Sequence, residues 1–160
     1  MSRKLFASCL LFSFMLSACV SSQNAKFSFS AKQLSLAQGE SMTVNLLLNS
    51  GKHTIDAVDC ILEFDPESLE LTDINPGTIF ENYPLLISNN NTGEAKLSAA
   101  SLDNFFQGEG VYASLTFKAL KNGQSYLSYQ YTPDSSLDTD VMSQGQDVLG
   151  SVAKLKIQVQ

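Results

Sequence analysis

The densest group of side chains that could do chemistry in this sequence is a run of carboxylates near its C-terminal end. Asp134, Asp138 and Asp140 lie close together, and Asp147 follows. Calcium favours such oxygen clusters on loops. The segment lacks the Asp-x-Asp-x-Asp-Gly order of an EF-hand loop, so we expect a solvated acidic loop and no metal. A Ca²⁺ site at Asp134, Asp138 and Asp140 is the alternative, and no other cofactor is expected.

Catalytic patterns are poorly represented. His53 is the only histidine, and no Gly-x-Ser-x-Gly element accompanies it, so a hydrolase triad has little support. The 16 acidic residues are spread over turns and strand edges, and no pair stands out as a candidate for glycoside cleavage. A glycine-rich phosphate loop is also missing. We therefore predict that the protein is not an enzyme.

The charge balance excludes one class of partner. The chain has 10 basic and 16 acidic residues, a formal net charge of −6, and its basic residues form no cluster. Such a surface repels the phosphate backbone, so nucleic-acid binding is not expected.

The N-terminus indicates export. Arg3 and Lys4 precede an apolar run over 5–16, and Ser17 and Ala18 follow. This order predicts a secretory signal peptide over 1–18, because the run is too short for a permanent membrane span. Leu-Ser-Ala-Cys at 16–19 resembles the lipobox of bacterial lipoproteins. That resemblance implies lipidation of Cys19, including acyl chains such as palmitate, and membrane anchoring by lipid.

The residues after the cysteine refine this expectation. Val20 stands where an inner-membrane retention signal would usually show Asp, which favours the outer membrane or the cell surface. Residues 19–26 would then be the lipidated Cys19 and a short polar tether.

The rest of the chain, 27–160, has the pattern of one all-β domain. Apolar and polar residues alternate with period 2, and glycine- or proline-containing turns separate the segments. No stretch carries a convincing helical stripe. Gly150 lies inside a strand pattern and indicates a bulge or a close backbone approach. We predict an antiparallel β-sandwich or jelly roll of about nine strands, over 27–36, 42–49, 55–64, 69–74, 85–88, 95–102, 111–120, 125–131 and 148–159.

Alternation also predicts which side chains face the core. Three strands give clear inner sets, in which Cys60 is a small buried hydrophobe: Val58, Cys60, Leu62 and Phe64; Ala95, Leu97 and Ala99; and Val111, Ala113, Leu115 and Phe117. If these three strands share a sheet, their outward residues form one polar surface with a few apolar members.

Three segments together resemble a cohesin module, the receptor that binds dockerins in cellulosome-type assemblies. The first is the turn and strand over 36–44. The second is the apolar strand over 57–64 with its Asp65-Pro66 turn, continuing to Asn75-Pro76-Gly77. The third is the glycine-led strand over 108–118. The likeness spans about 27–160 and implies a cohesin-like sandwich, a fold related to carbohydrate-binding modules.

The resemblance also implies a binding surface. In that family a dockerin docks on a sheet face that includes the third, sixth and eighth strands. Carried over by position, the candidate contacts are Asp59, Ile61, Glu63, Lys96, Ser98, Ala100, Tyr112, Ser114 and Thr116. The expected function is thus non-catalytic binding of a protein, dockerin-bearing or other, at the cell envelope. One alternative is binding of a polysaccharide through tyrosines such as Tyr129 and Tyr131, and another is a structural role in an envelope assembly.

Overall fold

The computed structural model describes residues 24–133 and 135–160, and these residues form a two-sheet β-sandwich. Within these ranges there is no helix, and therefore none that could cross a membrane. The predicted signal peptide, Cys19 and Asp134 lie outside the described residues. The strands are β1 (Ala25–Phe29), β2 (Gln33–Leu36), β3 (Ser41–Asn49), β4 (Ala57–Phe64), β5 (Leu69–Pro76), β6 (Asn82–Asn89), β7 (Glu94–Ala100), β8 (Glu109–Ala119), β9 (Gly123–Tyr129), β10 (Asp140–Ser143), β11 (Gln146–Asp147), β12 (Leu149–Val152) and β13 (Lys154–Val159).

The strands divide into a smaller and a larger sheet. The smaller sheet has the order β12-β1-β3-β8-β5. The larger sheet runs β11-β10-β4-β9-β13-β2, and β7 and then β6 extend it from β4. The all-β sandwich is confirmed, although the described residues contain more strands than the nine predicted.

The higher strand count arises where the chain passes from one sheet to the other. The predicted strand over 27–36 is two strands, β1 in the smaller sheet and β2 in the larger one. The predicted strand over 148–159 divides in the same way into β12 and β13. The two passages run side by side, because β1 pairs with β12 and β2 with β13, both in parallel. The backbone N–H of Ala153, between β12 and β13, donates to the carbonyl of Phe27 in β1 (3.0 Å).

The interior between the two sheets is apolar, as the alternation predicted. Val58, Cys60, Leu62 and Phe64 of β4 are all buried. Of the other predicted inner residues all are buried except Val111, which is only partly so. Burial raises the pKa of the Cys60 thiol well above its usual range, so this free cysteine acts as a small hydrophobe.

Two local features interrupt the regular strands. Asp65, directly after β4, accepts hydrogen bonds from the hydroxyl of Ser68 and the backbone N–H of Glu67. The Ser68 bond is the main reason that the pKa of Asp65 lies below its usual value. In β12, Gly150 is the extra residue of a β-bulge, because Ala25 pairs with Leu149 and Lys26 with Ser151. The predicted bulge is therefore confirmed.

Candidate functional site

The outward side chains of β4 lie at the centre of the larger sheet. Successive residues of a strand point to opposite faces, so burial of Cys60 and Leu62 turns Asp59, Ile61 and Glu63 outward. Asp59 and Glu63 are exposed, and Ile61 is partly exposed. The described part of the chain places no strand across this side of β4.

Neighbouring strands extend this surface on one side of β4. On β7, Ser98 lies opposite Asp59 and Lys96 opposite Ile61. On β6, Leu85 and Ile87 lie opposite these two β7 residues, and Ile87 is 52% exposed. We call the surface formed by Asp59, Ile61, Glu63, Leu85, Ile87, Lys96, Ser98 and Ala100 the docking face.

The docking face mixes charge with apolar area. The Ser98 hydroxyl donates to the Asp59 carboxylate, and the Lys96 ammonium lies 3.3 Å from a Glu94 carboxylate oxygen. Between these polar groups, Ile61, Leu85 and Ile87 leave apolar surface accessible. Such a mixture of apolar centre and polar groups is typical of protein interfaces that form and dissociate.

The other edge of β4 is shared by two strands. β10 pairs with the first half of β4, over Ala57–Asp59, and β9 with the second half, over Leu62–Phe64. The gap between them falls at Ile61. There the hydroxyl of the buried Thr139 accepts from the Ile61 N–H (3.0 Å) and donates to the Ile61 carbonyl (3.2 Å). A side chain thus replaces the missing strand and holds the 135–140 segment against the docking face.

This segment brings part of the acidic loop to the docking face. Asp140 lies opposite Asp59 in the pairing of β10 with β4. Burial, followed by the nearby charge of Asp59, raises the pKa of Asp140 from 3.8 to about 6. The backbone N–H of Asp59 donates to the Asp140 carboxylate and limits this rise. The expectation of a solvated acidic loop is wrong for Asp138, which is buried, as is the neighbouring Thr139.

Three of the nine predicted contact residues do not reach the docking face. Ser114 and Thr116 belong to β8, which lies in the smaller sheet, and their hydroxyls bond to Asn45 and Thr43 of β3. They lie on the opposite side of the sandwich from Asp59. The condition that the three strands share one sheet is therefore not met, and sequence alternation alone could not test it.

Tyr112 is the third of these residues, and its predicted outward position is wrong. Its side chain is fully buried, and its hydroxyl donates to the carbonyl of Leu97 (3.0 Å). The pairing of β3 with β8 shifts between Leu46 and Leu47, so Tyr112 is the extra residue of a β-bulge. A bulge places two successive side chains on one face, and both Tyr112 and Ala113 consequently point into the core.

The surface also contains residues that the sequence analysis missed. Leu85 and Ile87 on β6, and Tyr126 and Ser128 on β9, have side chains on the outer side of the larger sheet. Leu137 stands beside the docking face with 89% of its surface exposed. Alternation within each strand could have indicated the outward side of β6 and β9. Only sheet order could show that they adjoin β7 and β4.

Most tyrosine side chains pack inside the domain and hydrogen-bond to backbone carbonyls. Tyr129 is buried and donates to Ser28, whereas Tyr83 and Tyr131 donate to the carbonyls of Tyr112 and Leu149. Tyr126 is the exception, being 38% exposed. Its ring has the Lys154 ammonium 4.2 Å from its centroid, in cation–π geometry. This arrangement provides no flat group of tyrosine rings for stacking on a sugar.

Candidate metal ligands do not converge in the part of the chain that the structure describes. Among residues 24–133 and 135–160, no group of three or more His, Cys, Asp or Glu side chains has a geometry that could hold a metal ion. His53 lies in the turn after β3, where its backbone N–H donates to the carbonyl of Ser50.

Together these features define a class of protein: a two-sheet β-sandwich with an exposed outer face of mixed polarity on its larger sheet. A model of the cohesin domain family matches residues 27–158. The chain belongs to the cohesin domain family. No sequence among the curated proteins matches the chain.

Solved structures agree on the fold. The third cohesin of ScaC from Acetivibrio cellulolyticus, in complex with the ScaB dockerin, has a TM-score of 0.70 and 21% identity, covering 84% of this chain and 98% of that one. A cohesin from Clostridium thermocellum, in the Coh-OlpA-Doc918 complex, has a TM-score of 0.69 and 12% identity, with coverages of 86% and 99%. A non-cellulosomal cohesin from Archaeoglobus fulgidus has a TM-score of 0.62 and 13% identity, with coverages of 86% and 91%.

Proposed function

We propose that this protein is a non-catalytic receptor that binds a protein partner on the docking face. The observation that carries the proposal is the exposed combination of Asp59, Ile61 and Glu63 at the centre of the larger sheet. Membership of the cohesin family supports a protein partner, and two of the similar solved structures are complexes with dockerins. A dockerin-bearing protein is therefore the first partner to test.

The docking face extends across several neighbouring strands of the larger sheet. A cross-strand row of one residue each from β10, β4, β7 and β6 spans about 15 Å, given the spacing of roughly 4.8 Å between neighbouring strands. Each strand contributes several outward residues. A standard interface buries about 800 Å² on each partner, and the outward residues of β9, which pairs with the second half of β4, enlarge the surface that a partner could contact.

Carbohydrate binding is less well supported. Sugar modules use flat aromatic platforms, whereas four of the five tyrosines of this chain are buried or partly buried and bonded internally. The remaining one, Tyr126, has a lysine over its ring. A purely structural role predicts that the docking face is dispensable for binding, so the same variants test it.

The experiment is a capture assay with the immobilised full chain and extract of the source organism's envelope. Ile61→Asp and Glu63→Lys alter the docking face, and Asp73→Lys on the outer side of the smaller sheet is the matched control. We expect a dockerin-bearing protein to be enriched by the wild type and by the control, and to be lost with both docking-face variants. Capture that is insensitive to Ile61→Asp, or binding on a glycan array without any protein partner, would contradict the proposal.

The proposal includes a lipid anchor at the cell envelope, in the outer membrane or at the cell surface. Its support is the lipobox-like sequence at 16–19 after an apolar run. More than one acyl chain gives stable anchoring, since each buried CH₂ contributes about 0.8 kcal/mol. Metabolic labelling with a palmitate analogue should mark the wild type but not Cys19→Ala, and the variant should leave the membrane fraction. An unlabelled wild type, or a Cys19→Ala protein that remains fully membrane-bound, would argue against lipidation.

A further inference from the structure

A small acidic cavity adjoins the docking face. It has a volume of about 200 Å³ and lies between β4, β7 and the segment over 136–140. Asp59, Asp138 and Asp140 contribute carboxylates to its wall, and Ile61 and Leu137 contribute apolar surface. We refer to this space as the acidic cavity.

Two carboxylate oxygens of the acidic cavity lack hydrogen-bond partners. Asp138 is only 8% exposed. Its Oδ1 and the Oδ1 of Asp140 are buried, and neither makes a hydrogen bond to any residue that the structure describes. A buried acceptor without a partner destabilises the folded protein. Such atoms therefore indicate a donor that is supplied from outside the described chain.

The charges around the cavity favour a positively charged donor. Asp140 is surrounded by Asp59 of β4, Asp147 of β11 and Asp138 of its own segment, and all three raise its pKa. Lys96 of β7 lines the same cavity. Its ammonium is paired with Glu94, which lies on the same strand and not in the cavity wall. The cavity thus has an excess of negative charge.

The residues that line the cavity favour an organic cation over a metal ion. Among the described residues, no three acidic, cysteine or histidine side chains converge as metal ligands. The wall instead combines the carboxylates with Ile61, Leu85 and Leu137. Lysine and arginine place an apolar stem along such side chains while their charged heads reach polar groups.

We infer that the acidic cavity receives a lysine or arginine side chain of the protein partner, whose charged head bonds to Asp138 and Asp140. The inference rests on the proposed function, because it assigns a specificity pocket to the same docking face. A partner with a neutral residue at the matching position would leave the Oδ1 atoms of both carboxylates without a hydrogen-bond partner. Discrimination would therefore come from the cost of unpaired buried groups.

The first test does not require the natural partner. Nα-acetyl-lysine methylamide is added to the isotopically labelled full chain and followed by NMR, with the norleucine derivative as the neutral control. We expect the lysine derivative to shift the amide signals of Asp59, Ile61 and 137–140, and to lower the apparent pKa of Asp140 measured from its carboxyl carbon. Asp140→Asn should weaken binding at least several-fold, whereas Asp73→Asn should not.

Three outcomes would overturn the inference. Equal shifts with the norleucine derivative would indicate apolar contact without charge recognition. Saturable shifts with calcium chloride that exclude the lysine derivative would indicate a metal site. No shift at 137–140 with either the lysine or the arginine derivative would show that the cavity takes no such side chain.

The second test uses a partner that the capture assay has identified. Protonation of Asp140 removes a charge that the cation needs, so the affinity should fall as the pH decreases from 7 to 5. Asp140→Asn should weaken binding at pH 7 and abolish this pH dependence. If capture depends on Ile61 but not on Asp138, Asp140 or pH, the proposed function stands and the cavity inference fails. If nothing is captured but the lysine derivative binds, the proposed function fails, although the cavity still recognises a lysine side chain.

Discussion

Replacement of Thr139 by valine tests the bridge between β4 and the 135–140 segment. Thr139 is fully buried, and its hydroxyl bonds to both the N–H and the carbonyl of Ile61. Valine has nearly the same shape, so the substitution removes these two bonds without leaving a large cavity. The variant therefore isolates the contribution of the hydroxyl to the stability of the domain.

The magnitude follows from what remains bonded. The carbonyl of Ile61 also accepts from the N–H of Gln130 (2.9 Å), so loss of the Thr139 donor costs little there. The N–H of Ile61 loses the bond on this edge of β4, and an unsatisfied buried donor costs about 1–3 kcal/mol. Removing a buried hydroxyl offsets part of this cost. We expect Thr139→Val to lower the free energy of unfolding by about 1–2 kcal/mol.

Urea denaturation measures this change, and amide hydrogen exchange locates it. The amide of Ile61 should exchange faster in Thr139→Val than in the wild type. Thr43→Val is the matched control, because the Thr43 hydroxyl bonds only at the exposed outer side of the smaller sheet. We expect the control to change stability by less than about 0.5 kcal/mol. Equal effects of the two substitutions, or unchanged exchange at Ile61, would refute the bridging role.

Three further predictions concern the core and the acidic cavity. Leu62→Ala should lower the free energy of unfolding in urea by about 2–5 kcal/mol, because Leu62 is fully buried between the sheets. Tyr112→Phe should cost about 1 kcal/mol, since only the bond to the Leu97 carbonyl is lost, and partner capture should be unchanged. The third prediction concerns pH. The pKa of Asp140 is raised to about 6 in the folded protein, so its favourable contribution is fully present below about pH 4 and is lost as the pH rises through 6. Asp140→Asn should therefore gain stability relative to the wild type between pH 4 and 7, as measured by thermal unfolding at each pH.

Each of these predictions has an outcome that contradicts it. A cost below about 1 kcal/mol for Leu62→Ala would indicate that β4 does not face the core as described. Loss of partner capture by Tyr112→Phe, with stability retained, would indicate that Tyr112 contacts the partner. A stability difference between Asp140→Asn and the wild type that is independent of pH would show that the pKa of Asp140 is not raised.

Local patterns predicted the secondary structure and the core of this protein well. Alternation of apolar residues identified the buried side of β4 and β7, and a glycine in a strand pattern identified the bulge at Gly150. These features depend on neighbours along the chain, because side-chain direction in a strand has a period of two residues. The motifs around 36–44, 57–77 and 108–118 were enough to indicate the family.

The docking face was only partly predictable. Asp59, Ile61 and Glu63 follow from the alternation of β4, and Lys96, Ser98 and Ala100 from that of β7. The prediction that Tyr112 points outward was wrong because the bulge in β8 depends on the pairing of β8 with β3, and this pairing leaves no trace in the local pattern. The prediction that Ser114 and Thr116 belong to the docking face was wrong because long-range pairing decides which sheet a strand joins.

The sequence by itself thus determined that the described chain is built of strands, which side chains of β4 and β7 are inward, and which family it belongs to. Tertiary structure alone decided which strands are neighbours, that β8 lies in the sheet opposite β4, and that Asp138 and Asp140 meet Asp59 beside Ile61. The physical reason is that hydrogen bonds between strands join residues far apart in the chain, such as Asp59 and Asp140. Period-2 patterning carries no information about which partner each strand will find.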